Sequence, residues 1–432
     1  MHFENQVITY KSCTEPLIGP SEKPFGYSSV SLYFYPLNIP MYQLTLNMYE
    51  TVGLAAVVLF VGTILVRHSK LLRRFFIPAA VVGGMLFAIV SLCLYSADIV
   101  EIQFDDTLRQ ITMMVFFCSI GFLASFKMLK AGGKLVSILV VLMLVLILMQ
   151  NGVGIVCADI FGLDSKYGLA LGSISLCGGH GTAAAYGELL VDDYGLVGAD
   201  SVCLASATFG LALAGFIGGP LAKRLVWKHR LEPSTEDYEF KVKEPEKLQE
   251  RRFLTAAGMI AVCLGAGAVF NLLFEDTDIT LPVYLGAMLI AFVFRNTAEK
   301  IGVEVPVREV EILGWVCLCL FLSMALMSIK LWELEDLALA MVVTLLIQAV
   351  ALGLFVYYLV FRATGKNYES AALVTGVAGF GMGAIPNAIA NMEALIREHG
   401  PAPVAYFVVP IIGGVFLDII NVVVLTVLLN LL

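Results

Sequence analysis

Two glycine-rich stretches hold most of the residues in this chain that could do chemistry. The first runs from Gly172 to Glu188 as GSISLCGGHGTAAAYGE, the second from Thr375 to Glu393 as TGVAGFGMGAIPNAIANME. Glycine clusters let a backbone turn sharply and approach a ligand closely. A helix that starts after such a turn offers free N–H groups and the positive end of its dipole to a carboxylate. Carbonyls freed at the break suit a hard cation such as Na⁺. On this reasoning Gly179, His180, Gly181, Thr182, Gly383, Asn387 and Asn391 are candidates for substrate binding. Ser173, Ser175 and Thr375, with Asp418 and Asn421 further on, are candidates for Na⁺ and for coupling. Each hydroxyl has the alternative of bonding back to its own helix. Asp418 stands in the apolar run Val415–Asn421, and a lone carboxylate at membrane depth must meet a cation, a protonated partner or a wet cavity. Na⁺, a substrate ammonium, Lys127 and Lys330 are the partners to consider. His180 has no second His at metal-binding spacing, which leaves a hydrogen bond within the turn, substrate contact or proton coupling. Gln150, Asn151 and Gln348 occupy matching late positions in two apolar segments and read as interhelical hydrogen-bonding groups. No C-x-x-C spacing and no G-x-S-x-G turn occurs, so nothing points to an enzyme or to an organic cofactor.

The elements that must position these residues follow from composition. Hydrophobic residues make up 59% of the chain and charged residues 14%, against roughly 25% charged in soluble proteins. Mean hydropathy is +0.87. A soluble enzyme, a disordered chain and a nucleic-acid binder are excluded. An all-α polytopic membrane protein, surrounded by lipid, remains. Apolar windows at about 48–66, 75–96, 110–129, 135–161, 197–226, 253–274, 280–294, 310–329, 337–361 and 402–430 predict ten transmembrane helices. Residues 167–190 and 368–397 are less apolar and broken by polar clusters. Irregular backbone survives in a bilayer only when buried in protein or lining a wet cavity, so each reads as a re-entrant hairpin. Charge placement supports this. Arg67, Lys70, Arg73 and Arg74, then Lys127, Lys130 and Lys134, mark cytoplasmic loops, and Asp98, Glu101, Asp105 and Asp106 an outer one. If 167–190 crossed, Asp192, Asp193 and Asp200 would lie inside and Lys223, Arg224, Lys228 and Arg230 outside. If it enters and returns, every loop falls on its expected side, and both termini end outside the cytoplasm.

Residues 1–45 read as an N-terminal extension, proline-bearing and without a signal-peptide pattern, with Met41 and Met48 as alternative starts. A first repeat spans 46–226, a charged cytoplasmic linker 227–252, and a second repeat 253–432. Pro78 and Pro282, Gly83 and Gly286, Met85 and Met288, Ser125 and Ser328, Gly179 and Gly381, and Gly195 and Gly400 match at offsets of 202–205 residues. Five spans per repeat is odd, so the second repeat is inverted. Inverted repeats with paired glycine-interrupted segments are the mark of secondary transporters, with the site at the midplane between repeats. An ion channel would need a ring or filter of repeated ligands, which two non-identical tips of opposite direction do not supply.

CGGHGTAAAYG (177–187), ATFGLALAGFIGGP (207–220), FLSMALMSIKLWEL (321–334), GKNYESAAL (365–373), GFGMGAIPNAIANM (379–392) and VVPIIGGVFLDIIN (408–421) closely resemble the sodium/glutamate symporter family of bacterial inner membranes. The resemblance runs from about residue 41 to the end. It implies Na⁺-coupled uptake of L-glutamate, a homodimer, and an elevator-type architecture of scaffold and mobile parts, and it favours Met41 as the start. The chain departs from the family pattern in having Cys177 for Ser, Ala183 for Gly, and Ile385-Pro386-Asn387 for Thr-Pro-Thr. The last change removes two hydroxyls from the expected binding surface. It leaves aspartate, another amino acid or a di- or tricarboxylate, with Na⁺ or H⁺ coupling, as alternatives.

Overall fold

The computed structural model describes residues 42–74, 77–127, 133–233, 249–274, 281–334 and 337–432. The extension up to residue 41, Lys130, most of the linker, and Glu275, Asp276, Asp278, Glu335 and Asp336 lie outside the described residues.

Apolar helices dominate. The longer ones are α1 (Met48–His68), α2 (Ala79–Ser96), α3 (Thr107–Leu123), α4 (Gly133–Ile160), α5 (Ser165–Leu169), α6 (Gly179–Asp192), α7 (Ala199–His229), α8 (Glu250–Leu272), α9 (Leu285–Ile301), α10 (Val307–Met327), α11 (Ala338–Ala363), α12 (Tyr368–Phe380), α13 (Ile385–His399) and α14 (Pro403–Leu431). Eight of these are long and apolar enough to cross a membrane: α1, α2, α4, α7, α8, α10, α11 and α14. The windows at 110–129 and 280–294 form α3 and α9, 17 residues each, shorter than the other eight. Outward faces carry exposed Val57, Phe60 and Ile64 on α1, Val141 and Leu148 on α4, and Leu346 and Val350 on α11, as lipid contact requires.

One expectation is corrected. The chain is not purely helical: Tyr42–Thr45 (β1) pairs in parallel with Val100–Gln103 (β2), Tyr42 opposite Val100 and Thr45 opposite Gln103. Residues 42–45 thus bond to a strand between α2 and α3. The helix α7 runs to His229 and α8 begins at Glu250.

Each broken segment is a helix, a break and a second helix. The first comprises α5, which continues through a wide turn at Ala170–Ile174, and α6. Its two ends are tied together. The Tyr167 hydroxyl donates to the Val197 carbonyl at 2.7 Å, and the Lys166 ammonium lies 5.1 Å from the Tyr194 ring centre. The second comprises α12 and α13. The Tyr368 hydroxyl donates to the Gly400 carbonyl at 2.5 Å, and the Glu369 carboxylate accepts from Ala405 N at 2.8 Å. The helix α7 joins the two mouths. The mouth of the first hairpin touches its start through Val197, while Lys223 near its end forms an ion pair with Glu398 at the mouth of the second. With 31 residues at about 1.5 Å each, α7 is about 46 Å long.

The spans sort into two sets by packing. One set is α1, α2, α3, α8, α9 and α10. The other is α4 to α7 and α11 to α14, which includes both hairpins. Within each set helices come close through glycine. Gly121 of α3 lies against the Met288 backbone of α9, and Gly379 of α12 against Ala388 of α13, where no Cβ fits. Contacts between the sets are fewer. They include an aromatic run in which the Phe117 ring stacks on Tyr284 at 3.8 Å and Tyr186 meets Tyr284 edge-on at 6.1 Å. They also include a polar link, Arg109 of α3 to Glu188 of α6 at 2.9 Å. Asp106 at the start of α3 lies 3.1 Å from the same guanidinium. Burial raises its carboxyl above the usual range, and Arg109 opposes that rise.

Candidate functional site

Helix capping divides each hairpin into a finished end and an open end. Asp164 caps α5 by accepting from Lys166 N, and Asn367 caps α12 with a reciprocal bond to Ser370. These caps stand at the mouths. At the tips, α6 starts after Gly178 and α13 after Ala384, and neither residue offers a capping side chain. The N–H groups of both first turns, apart from Pro386, which has none, therefore take no cap from the preceding residue. The tips meet: a Cβ placed on Gly179, the first residue of α6, would lie 3.4 Å from the Gly383 carbonyl just ahead of α13. Gly179 takes φ +60°, the left-handed region that glycine alone enters cheaply. The Cys177 thiol reaches the Gly381 carbonyl at 3.6 Å.

Beside the meeting point, the first hairpin is broken at Gly172 (φ −103°, ψ −133°). Amides from three spans converge on it. Asn151 of α4 clasps Ser173, its Nδ2 donating to Ser173 Oγ at 2.9 Å and its Oδ1 accepting from Ser173 N at 3.0 Å. Asn421 Nδ2 of α14 donates to the Ser173 carbonyl at 3.1 Å. Gln348 Nε2 of α11 donates to the carbonyls of Gln150 and Leu171 at 2.7 and 3.3 Å. Gln150 Nε2 reaches the other tip, donating to the Gly381 carbonyl at 2.6 Å. Gln150 of α4 thus holds the second broken segment, and Gln348 of α11 the first.

The candidate residues divide under this geometry. Gly179, Gly383 and Asn387 stand together at the tips. Thr182, one turn into α6, is buried and forms no hydrogen bond among the described residues. His180 is buried, with Nε2 3.0 Å from Thr208 Oγ1. Thr208 also reaches the Leu204 carbonyl at 2.9 Å. A carbonyl only accepts, so both bonds hold when His180 Nε2–H donates; the imidazole fixes the tip to α7. Gly181 faces the Phe116 ring and Leu318 of the other helix set. Asn387 Nδ2 donates to the Leu211 carbonyl at 2.8 Å and Asn391 Nδ2 to Ala214 at 3.1 Å, both at mid-α7. Asn387 Oδ1 is buried without a partner. Ser173 and Asn421 meet each other at the break.

Ser175 and Thr375 hydroxyls are committed elsewhere: they bond back to Ala170 and Thr375's neighbour Ala372 at 2.6 and 2.7 Å, the local alternative open to any helical hydroxyl. Asp418 is half-buried, one turn from Asn421, and forms no ion pair or hydrogen bond among the described residues. Lys330 does not reach it, since its amino group pairs with Glu101 at 3.9 Å. Gln150 and Gln348 had shown only as matching polar positions. Their offset of 198 residues, close to that of the repeat, was the available sign that they act as a pair.

No nucleophile with a partnering base comes together at this centre. Two free helix N-termini form a pole for an anion, and an oxygen-rich break beside Asp418 forms a pole for a cation.

The comparisons with known proteins follow the same lines. The family model described as "Sodium/glutamate symporter" matches residues 44–401. The sodium/glutamate symporter of Escherichia coli (strain K12) is 40% identical over 385 residues, 87% of this chain and 96% of that protein. The sodium/glutamate symporter of Haemophilus influenzae is 37% identical over 386 residues, again 87% and 96%. Among solved structures, a sodium proton antiporter from Methanocaldococcus jannaschii aligns over 89% of this chain and 97% of its own, at 14% identity and a TM-score of 0.42, a likeness too slight to carry an argument. On the family match and the two relatives, the chain belongs to the sodium/glutamate symporter family.

Proposed function

We propose that this chain is a sodium-coupled symporter that takes up glutamate across the bacterial inner membrane, with the substrate held between the two hairpin tips. The observation that carries the reading is the meeting of two uncapped helix N-termini in mid-protein, beside an oxygen-rich break, in a member of this family. In this reading α3 and α9 cross with the eight longer spans, giving ten. Both hairpins are re-entrant and enter from opposite sides. The tied ends of each, and their attachment to opposite ends of α7, support this. The packing supports an elevator motion. The hairpins ride in the set of α4 to α7 and α11 to α14, and that set slides against the scaffold of α1 to α3 and α8 to α10. The sparse link through Arg109, Glu188 and Tyr284 is what such a sliding surface needs. The homodimer and the placement of both termini outside rest on the family resemblance and on the distribution of Lys and Arg. The substrate carboxylates face the N–H groups of α6 and α13, with Thr182 near, and the Na⁺ faces Ser173, Asp418 and Asn421.

Purified protein in liposomes is expected to accumulate radiolabelled glutamate against its gradient when Na⁺ is high outside. The accumulation should collapse when the Na⁺ gradient is removed. Uptake indifferent to Na⁺ overturns the coupling, and stronger competition by aspartate, succinate or citrate than by glutamate moves the assignment to that substrate. The hairpins have their own check. A cysteine at Asp193 should react with an impermeant reagent from outside only, and one at Lys366 from the cytoplasm only. Labelling of both from the same side overturns the opposed hairpins.

A further inference from the structure

We propose that the co-transported cation binds at the Gly172 break through the side-chain amide oxygens of Gln150, Gln348 and Asn421. This deepens the sodium-coupled reading and rests on it. The three side chains come from α4, α11 and α14, and all are 0% exposed. Each has spent its NH₂ group on a backbone carbonyl: Gln150 on Gly381, Gln348 on Gln150 and Leu171, Asn421 on Ser173. Those bonds fix how each amide lies. In each the opposite atom, Gln150 Oε1, Gln348 Oε1 or Asn421 Oδ1, is buried without a hydrogen-bond partner. Thr344, one turn before Gln348 on the same face of α11, adds a fourth buried oxygen without a partner.

Burying an acceptor and leaving it unpaired is costly, and native proteins rarely do it several times in one place without a reason. Here each amide nitrogen is bonded to a carbonyl and each amide oxygen is left without a donor. A carboxylate guest would add acceptors and be repelled. A guest that satisfies these oxygens brings positive charge. Neutral carbonyl oxygens with one nearby carboxylate are the ligand set of a hard, weakly charged cation, and Asp418, unpaired one turn before Asn421, supplies that charge. Softer transition metals are disfavoured, since no group of three His, Cys, Asp or Glu side chains suited to a metal occurs among the described residues. The placement also gives the cation a task. Gln150 bridges the break to the second tip at Gly381, and Gln348 bridges it to α11. A cation drawing on both oxygens therefore braces both hairpins at once and prepares the N-termini that receive the substrate.

The test measures Na⁺ binding apart from transport. The unfolding temperature of the purified full-length protein is followed against NaCl, with choline chloride holding ionic strength constant and no glutamate present. Wild type is expected to show a saturable rise with Na⁺. In Gln348→Met and Asn421→Leu the Na⁺ concentration for half the effect is expected to rise about tenfold or more, the loss of one buried ligand. In liposomes the half-saturating Na⁺ for uptake should rise in parallel, while half-saturating glutamate at saturating Na⁺ stays near wild type. Gln150→Met carries the same expectation and stands in if either variant lacks a cooperative unfolding transition. Unchanged half-saturating Na⁺ in the folded variants overturns the site. Wild type that binds Na⁺ but shows no Na⁺-driven uptake overturns the transport reading and leaves the site standing.

Discussion

Replacing Asp418 by Asn raises the Na⁺ needed for half-maximal uptake by one to two orders of magnitude. The side chain keeps its shape and loses only its charge. Asp418 lies in the run VFLDIIN of α14, otherwise apolar up to Asn421, and is half-buried. A carboxylate at such depth costs about 2.5–3.5 kcal/mol on insertion scales, so it is retained only where something positive repays it. No fixed cation does so among the described residues. Lys330, the cation within reach by sequence, is turned to Glu101 at 3.9 Å, and Arg109 is held between Asp106 and Glu188 at 3.1 and 2.9 Å. On the proposed reading the compensating charge is the transported cation. Hydrogen bonds and contacts to charged groups contribute about 1.5–3 kcal/mol, which corresponds to roughly 10- to 150-fold in affinity. Liposome uptake at graded Na⁺ reads the change directly. The variant should still fold, because Asn tolerates the same pocket and Asn421 keeps its bond to the Ser173 carbonyl at 3.1 Å. Uptake with unaltered Na⁺ dependence would assign Asp418 to holding α14 in place and nothing more.

The parts of this architecture that could be read from the sequence are those that local chemistry dictates. Asp164 before α5 and Asn367 before α12 are helix caps in composition and in fact. Glycine at 172, 179, 381 and 383 marked the breaks. The sorting of spans into two sets was not legible, and the reason is physical. Helices such as α2 are apolar on every face, so no amphipathic stripe says which neighbour each will choose. The β1 strand was missed because its partner lies some 58 positions on at Val100–Gln103, and a four-residue strand has no signal of its own. At the site, residue type could not separate Ser173 from Ser175. One meets Asn151 and the other its own helix, a difference set by the turn at Gly172. Glutamines at 150 and 348 were legible as a pair and not as a grip on opposite hairpins, since that requires knowing that both tips reach the same depth.

Asn387→Ala is expected to raise half-saturating glutamate by roughly 10- to 150-fold, with expression and assembly preserved. Asn387 sits in the first turn of α13, where its NH₂ group is already given to the Leu211 carbonyl at 2.8 Å. That bond uses one of its two N–H donors. Its buried Oδ1 remains free, so its partner on a substrate is a donor, and the ammonium group of an amino acid is the fitting one. The carboxylates are left to the N–H groups at the starts of α6 and α13. Truncation removes one charge-assisted bond and also leaves the Leu211 carbonyl bare against the hairpin, and the two losses together fall in the range of about 1.5–3 kcal/mol. A dicarboxylate without an ammonium group has nothing to lose at this position. Its competition against glutamate should therefore improve in the variant, measured as the ratio of succinate to aspartate inhibition. Half-saturating Na⁺ at saturating glutamate should stay near wild type, because Asn387 contacts α7 and stands apart from the Gly172 break. Restoring the family's Thr at 387 and at 385 supplies hydroxyls that donate as well as accept, and should shift preference toward the carboxylate end of the substrate. Unchanged half-saturation for glutamate in Asn387→Ala would take this residue out of the site and leave the tip backbones to bind alone.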